Sequence, residues 1–392
     1  MNAAGAMTQP VSAGIGVTSS ARCVRLRRIT ITDFRNIGSA DVAFPPDGIA
    51  VVGDNGHGKT NLLEAIAYLQ LLRSLRGARD RDLVRFGSEA FHVGAAAEGT
   101  AAAQISVGVS KTGTKRATLD GVEQARLGDA LGALPSVCFS PADVALVAGG
   151  PSERRRALDI MLALTDHADL SALRAYRAAL ARRNATLRFA KHDRGSLHAW
   201  EPALAQHGAT LVRGRHAWVA DFRARFAALA AAIGEPQPMA ISYESAFGAR
   251  DDVADEIAGA LEASRDQDIR RGATQSGPHR DDLGISLGGR SLKVTGSAGQ
   301  HRTAAIALRL LEAATFSART RVQPLVLLDE PFAELDLTRV RRVLELLHDA
   351  TADGLGQIVL CVPRADEIPA EFTQLARWTV RDGVFARDTA RV

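Results

Sequence analysis

Hydrophobic and polar positions change their rhythm twice along this chain. Val24-Arg-Leu-Arg-Arg-Ile-Thr-Ile-Thr alternates with period two, which predicts a half-buried strand. Gly48-Ile-Ala-Val-Val is short and apolar throughout, predicting a fully buried strand that runs directly into a glycine-rich stretch. After the glycines, Leu62, Ala65, Ile66 and Leu69 recur at helical spacing. Phe91 to Leu119 reads as further antiparallel strands, with a strand at Gln104–Ser110 and a turn at Lys111-Thr-Gly-Thr-Lys115.

From Pro151 the period becomes helical. Pro151 suits a first helical position, and Leu158, Met161 and Leu162 follow on one face. Asp166 or Asp169 is placed to cap a second helix carrying Leu173, Tyr176, Leu180 and Leu187. Gly195-Ser196 breaks it. A third pattern uses Trp200, Leu204, Leu211, Trp218, Phe222 and Leu229 and ends at Gly234, with Pro202 in its first turn or at a kink. Two antiparallel helices of roughly 25 to 30 residues would form a projecting arm about 40 Å long. Strand signals then resume: Gln323–Asp329 and Gln357–Val362 read as buried strands and Leu337–Leu347 as a helix. The predicted organisation is a tail over 1–22, an N-terminal half over 23–150, a helical insertion over 151–234 and a C-terminal half over 235–392. The two α/β halves must pair to complete one sheet.

Composition narrows the class. With 46% hydrophobic and 23% charged residues the chain is of ordinary globular type. No apolar run reaches the roughly 18 residues needed to span a bilayer. Met1–Arg22 is small and polar, so it reads as a disordered tail and not as a signal peptide. Cys23, Cys138 and Cys361 are too scattered for a zinc pair or a disulfide framework, which points to a reducing, cytoplasmic setting. Net charge is +4, yet 151–234 holds fourteen Arg and Lys against seven Asp and Glu, a local +7. That excess suits a polyanion-binding segment, and equally an Arg- and Ala-rich chain with a solvated helix face.

The chemistry sits at three places. Gly53-Asp-Asn-Gly-His-Gly-Lys59-Thr60 fits G-x-x-x-x-G-K-[ST] between a strand and a helix. Its backbone N–H groups, together with the helix N-terminus, suit phosphate. Lys59 is expected at the β/γ-phosphates and Thr60 on Mg²⁺, which makes ATP and Mg²⁺ the implied cofactors. Gly53, Asn55, Gly56, Gly58 and Asn61 are the remaining candidate contacts of this loop. Leu325-Val-Leu-Leu-Asp329-Glu330 is the matching Walker B pattern. Asp329 is expected in the metal shell and Glu330 as the general base that activates water. Gly296-Ser297-Ala-Gly299-Gln300, before an apolar helix, resembles the Leu-Ser-Gly-Gly-Gln signature of ABC ATPases. Ser297, Gly299 and Gln300 are therefore candidate γ-phosphate contacts.

Further stretches are similar to one branch of these ATPases, the RecF family. They are Ile31-Thr-Asp-Phe34-Arg35-Asn36, Arg81-Asp-Leu-Val-Arg-Phe-Gly87, the run from Phe139 to Arg156, and Ser276-Gly-Pro-His-Arg-Asp-Asp-Leu283. The resemblance implies a mixed α/β ABC-ATPase head, a P-loop core with an antiparallel β part, interrupted by a helical arm domain. It also implies that two heads dimerise on ATP, each signature completing the partner's site. By analogy with related heads, Arg35 and Asn36 contact nucleotide. The implied function is binding of double-stranded and gapped DNA in recombinational repair. With RecO and RecR, such proteins promote RecA loading, and slow ATP hydrolysis resets them. Arg154 to Arg156, Arg182, Arg183, Arg188 and Lys191 are the candidate DNA contacts. His279 and Arg280 support either the site or the head–arm junction. Two departures stand out: Asp329-Glu330-Pro331 replaces the family's Asp-Asp, and Cys361-Val-Pro-Arg-Ala-Asp lacks a Thr-rich or His switch. A scaffold that binds ATP with little turnover, and a transporter-type ATPase subunit, are the alternative readings.

Overall fold

The computed structural model describes residues 22–189, 197–332, 335–352 and 357–388. Two six-stranded sheets face each other across one helix. The first is antiparallel, in spatial order Ile37–Ala43, Arg25–Phe34, Ala90–Glu98, Gln104–Ser110, Lys115–Leu119 and Val122–Glu123. Its second strand buries Leu26, then Ile29 and Ile31, so the alternation changes phase within the strand. A bulge between Leu26 and Arg28 absorbs the extra residue and keeps both apolar sets on the core face.

The second sheet runs Val384–Arg387, Ala376–Arg381, Gly48–Val52, Ile358–Val362, Leu325–Asp329 and Ser136–Phe139. It is parallel except for the Val384–Arg387 edge. Its inner strands are covered on both faces, which is why they read as continuous apolar runs. Gly48–Val52 and Ser136–Phe139 precede the helical segment in sequence, and the other four strands follow it.

Helix Lys59–Leu71 lies between the sheets and is buried without a break from Leu62 to Gln70. The four-residue stripe visible in the sequence understates this, because the helix meets protein on both sides.

The helical segment comprises Pro151–Thr165, His167–Phe189 and Glu201–Ile233. Asp166, and not Asp169, takes the capping role at the second helix, accepting from the Ala168 amide at 2.7 Å. Pro202 sits in the first turn of the third helix, where its missing N–H costs no helical bond. That helix has 33 residues, about 50 Å at 1.5 Å per residue. The expected arm is present as a lobe whose inner half packs on the head. Trp218, Phe222, Phe226, Leu229 and Ile233 share one core with Val326 and Leu328 of the parallel sheet and with Leu310 and Leu311 of helix Ala298–Thr320. The Trp218 indole N–H donates to Thr315 Oγ1 at 2.9 Å. The outer end has its own core, in which Leu173, Tyr176, Leu204 and Leu211 meet Val253, Ile257 and Leu261. Helix Val253–Ala263, beyond residue 234 in sequence, thus packs within the lobe.

Of the expected tail, residues 1–21 lie outside the described residues. Arg22 belongs to the fold: Arg22–Cys23 pairs in parallel with Val322–Gln323, and the Arg22 amide donates to the Arg321 carbonyl at 3.0 Å. Among the described residues no helix is long and apolar enough to cross a membrane.

Candidate nucleotide site

Parallel strands that end at one edge deliver their following loops to one place. Val52 is in register with Val362, and Cys361 with Asp329, so the glycine-rich loop and the Asp329-Glu330 turn emerge together. Between them opens a cleft of about 380 Å³. Of the residues predicted from sequence, Asn55, Gly56, Gly58, Lys59, Thr60, Asn61, Asp329 and Glu330 line it.

The Thr60 hydroxyl donates to the two Asp329 carboxylate oxygens, at 2.9 and 3.1 Å. Lys59 is 4% exposed and its Nζ donates to the Gly53 carbonyl at 2.6 Å and to Asn55 Oδ1 at 3.2 Å. Glu330 Oε1 lies 3.7 Å from the same Nζ. Burial pushes the Asp329 carboxyl above its ordinary range, opposed by the Thr60 hydrogen bond and reinforced by Glu330. Glu330 itself sits at φ 44°, a left-handed conformation unusual for a residue with a side chain. Two glycines are required by geometry. A Cβ on Gly53 would fall 2.4 Å from the Val380 carbonyl, and Gly58 adopts φ 120° where the loop turns into the helix.

A hard divalent cation suits oxygen donors, and the Thr60 hydroxyl and Asp329 carboxylate converge in the required way. Among the described residues no three His, Cys, Asp or Glu gather elsewhere to hold a metal. The residues present fit Mg²⁺, which Thr60 and Asp329 would hold. Bound there, it would neutralise charge on the phosphates.

Arg35 and Asn36 take different places. Asn36 buttresses the loop: its Oδ1 accepts from Asn61 Nδ2 at 2.8 Å and its Nδ2 donates to the Gly56 carbonyl at 3.3 Å. The Arg35 guanidinium instead forms a two-pronged pair with buried Glu64, at 3.0 and 3.1 Å, and does not line the cleft.

Ser297, Gly299 and Gln300 do not line it either. Ser297 caps helix Ala298–Thr320 through a reciprocal pair: its Oγ accepts from the Gln300 amide at 3.3 Å and its amide donates to Gln300 Oε1 at 3.0 Å. Two residues further on, buried Arg302 donates to the Ser140 carbonyl at 2.7 Å and the Pro331 carbonyl at 2.9 Å. The signature helix is thereby strapped to the turn that carries Glu330. In the stretch Pro331–Asp336, Ala333 and Glu334 lie outside the described residues.

Two predicted DNA-contacting arginines are corrected. Arg183 is fully buried, donating to Asp268 at 2.7 Å and Glu201 at 3.1 Å. Arg154 is also buried and forms a two-pronged pair with Asp282, at 2.6 and 2.9 Å. Arg155 donates to the Asp281 carbonyl. Arg182 and Arg188 are exposed, and Lys191 lies outside the described residues. His279 belongs to the head–lobe junction: Tyr176 and His279 Nδ1 are 2.6 Å apart, and His279 Nε2 meets the Thr274 carbonyl at 3.0 Å.

Sequence reasoning missed Arg76 and Pro141, which also line the cleft. It missed as well the Asp382-Gly383 turn, whose amides bond His57 Nδ1 and the His57 carbonyl at 2.9 Å each. No periodicity or motif flags these positions, because each depends on a contact between distant segments.

Comparison with known proteins places this geometry. A family model, the RecF/RecN/SMC N terminal domain, matches residues 25–371. The DNA replication and repair protein RecF of Anaeromyxobacter dehalogenans strain 2CP-1 is 37% identical over 92% of this chain and 98% of its own length. RecF of Chlorobium luteolum is 35% identical over 88% of this chain and 96% of its own. Among solved structures, the recombination mediator protein RecF-ATPrS in the RecFOR pathway superposes with a TM-score of 0.84 at 27% identity. It covers 94% of this chain and all of that one. The Smc head domain of Pyrococcus furiosus superposes at 0.54 with 18% identity over 92% of this chain and 95% of its own, a likeness of fold alone. The fold is the mixed α/β head of the ABC-ATPase and SMC kind.

Proposed function

The chain belongs to the RecF family of DNA replication and repair proteins, and from that premise we propose that it is an ATP-driven DNA clamp of recombinational repair. Lys59 and the loop amides bind the phosphates, while Thr60 and Asp329 hold Mg²⁺. Glu330 accepts a proton from the attacking water. Ser297, Gly299 and Gln300 meet the γ-phosphate bound by a second copy, so that ATP joins two heads. The observation that carries this reading is the convergence of Thr60, Asp329, Lys59 and Glu330 at one strand edge, with Thr60 2.9 Å from Asp329 and Lys59 3.7 Å from Glu330. That the signature residues do not line that same cleft supports completion by a partner.

The dimer holds duplex DNA beside single-strand gaps in the cytoplasm, and with RecO and RecR it promotes RecA loading. Slow hydrolysis releases it. Exposed arginines such as Arg182 and Arg188 are suited to phosphate contacts that are salt-sensitive and nearly indifferent to sequence. The test is fluorescence anisotropy of a gapped duplex titrated with protein, with and without ATP–Mg²⁺, at two salt concentrations. Binding that tightens with ATP and weakens with salt supports the clamp. Equal binding with and without ATP, or none, refutes it.

A further inference from the structure

Beside the nucleotide cleft lies a larger cavity of about 570 Å³, which shares Thr60, Arg76, Pro141 and Asp329 with it. Its far wall carries Arg73, just past the end of helix Lys59–Leu71, and Arg156 on helix Pro151–Thr165. The other cations around it are occupied. Arg309 is held between Asp143 and Glu312 at 2.6 Å each, Arg177 by Asp159 at 3.2 Å, and Arg76 lies 3.8 Å from Glu64. Among the described residues, Arg73 and Arg156 have no such carboxylate partner. Glu153 stands exposed on the rim and does not pair with Arg156. Burial, then the like charges of Arg156 and Arg177, push the half-buried Arg73 guanidinium down to about 10. It therefore remains charged at neutral pH, with mutual repulsion that a bound anion would relieve. Guanidinium groups present forked donors that match phosphate oxygens.

We propose that Arg73 and Arg156 form a second phosphate-binding site, separate from the glycine-rich loop, that receives the orthophosphate leaving the cleft on its Thr60–Asp329 side. The choice of orthophosphate rests on the ATP-hydrolysis reading above. The same chemistry would accept a terminal phosphate of a nucleic-acid strand.

The experiment uses the full chain with the loop saturated by a non-hydrolysable ATP analogue and Mg²⁺. Inorganic phosphate is titrated in and the melting temperature followed, for the wild type and for the Arg73→Gln/Arg156→Gln double variant. The expected result is a saturable rise in the wild type that weakens by about ten-fold or more in the variant, as loss of charge-assisted bonds implies. The rise caused by the ATP analogue itself should be retained, which shows that the variant is folded. Arg156→Lys, which keeps charge and loses the fork, should fall between the two. An identical phosphate response in wild type and double variant overturns the site. A second arm compares 5′-phosphorylated with 5′-hydroxyl single strands. A preference for the phosphorylated strand that the double variant loses, without any response to orthophosphate, overturns the orthophosphate assignment in favour of nucleic acid. If the analogue gives no shift, the nucleotide reading fails independently, and the phosphate titration without nucleotide still tests the arginines.

Discussion

The nucleotide cleft and the seam between head and lobe are built from the same residue types and behave in opposite ways. Away from the cleft, Arg154, Arg183 and Arg215 are each answered by a carboxylate from within the chain. Arg215, 2% exposed, binds Asp159 at 2.7 Å and the Pro278 carbonyl at 2.8 Å. Arg154 is matched by Asp282, and inside the lobe Arg183 by Asp268 and Glu201. In the cleft the groups face open space instead. Lys59 rests on loop oxygens, and Asp329 has only a threonine hydroxyl and is held partly protonation-prone by burial. A buried arginine alone therefore says nothing of function; what matters is whether its counter-charge is already present. The seam converts charge into rigidity, and the cleft keeps it for a ligand.

The largest test of that contrast is Glu330→Gln. Loss of the general base should lower ATP turnover by about 10²- to 10⁴-fold while nucleotide binding and the melting temperature stay unchanged; steady-state turnover at or near the wild-type rate would remove Glu330 from that role. Inside the lobe, Arg183→Ala should act on stability alone. It leaves Asp268 without its cation, while Glu201 keeps Arg265 at 2.9 Å, and should cost about 3–5 kcal/mol in denaturant unfolding, whereas Arg188→Ala, on the exposed face, should stay within about 0.5 kcal/mol.

Acidification should strike the seam through His279. Burial pushes its pKa down to about 4. Tyr176 donates to Nδ1 and the ring N–H at Nε2 donates to Thr274, an arrangement that suits the neutral ring. A folded value below the unfolded one means that the contribution is present above about pH 6.5 and is lost as pH falls toward the folded value, up to about 3 kcal/mol in all. Urea unfolding of wild type and His279→Asn at a series of pH values isolates this part of the slope. Parallel pH profiles for the two proteins would contradict it. A smaller effect is expected at the signature: Ser297→Ala removes a helix cap and should cost about 1 kcal/mol of stability. Ser297→Arg should leave the melting temperature near that value but prevent ATP-dependent dimerisation, measured by light scattering.

The contrast also explains what was legible beforehand. The cleft residues are local: a glycine loop bounded by a strand and a helix, and an acidic pair ending a strand, are patterns that short-range chemistry imposes. Gly48–Val52, Leu325–Asp329 and Ile358–Val362 are visible as strands because both faces are buried. The seam and the lobe interior are not local. Asp282 is 128 residues from Arg154 and Asp268 is 85 from Arg183, so nothing near either arginine announces its burial. Composition ranked Arg182 and Arg183 alike, although one is exposed and the other wholly enclosed. The lobe misleads in the same way: Trp218, Phe222 and Leu229 read as an arm's own stripe until the head supplies their partners.

The most direct test of the central claim is the rise in melting temperature on adding ATP–Mg²⁺ to wild type and to Asp329→Asn. The wild type should gain stability in proportion to the logarithm of ligand excess over Kd. Asp329→Asn should melt normally without nucleotide, since a neutral group is tolerated at this buried position, and should lose most of the ligand-induced rise. An undiminished rise in Asp329→Asn would contradict the account, because the cleft would then bind nucleotide without the carboxylate that it leaves open.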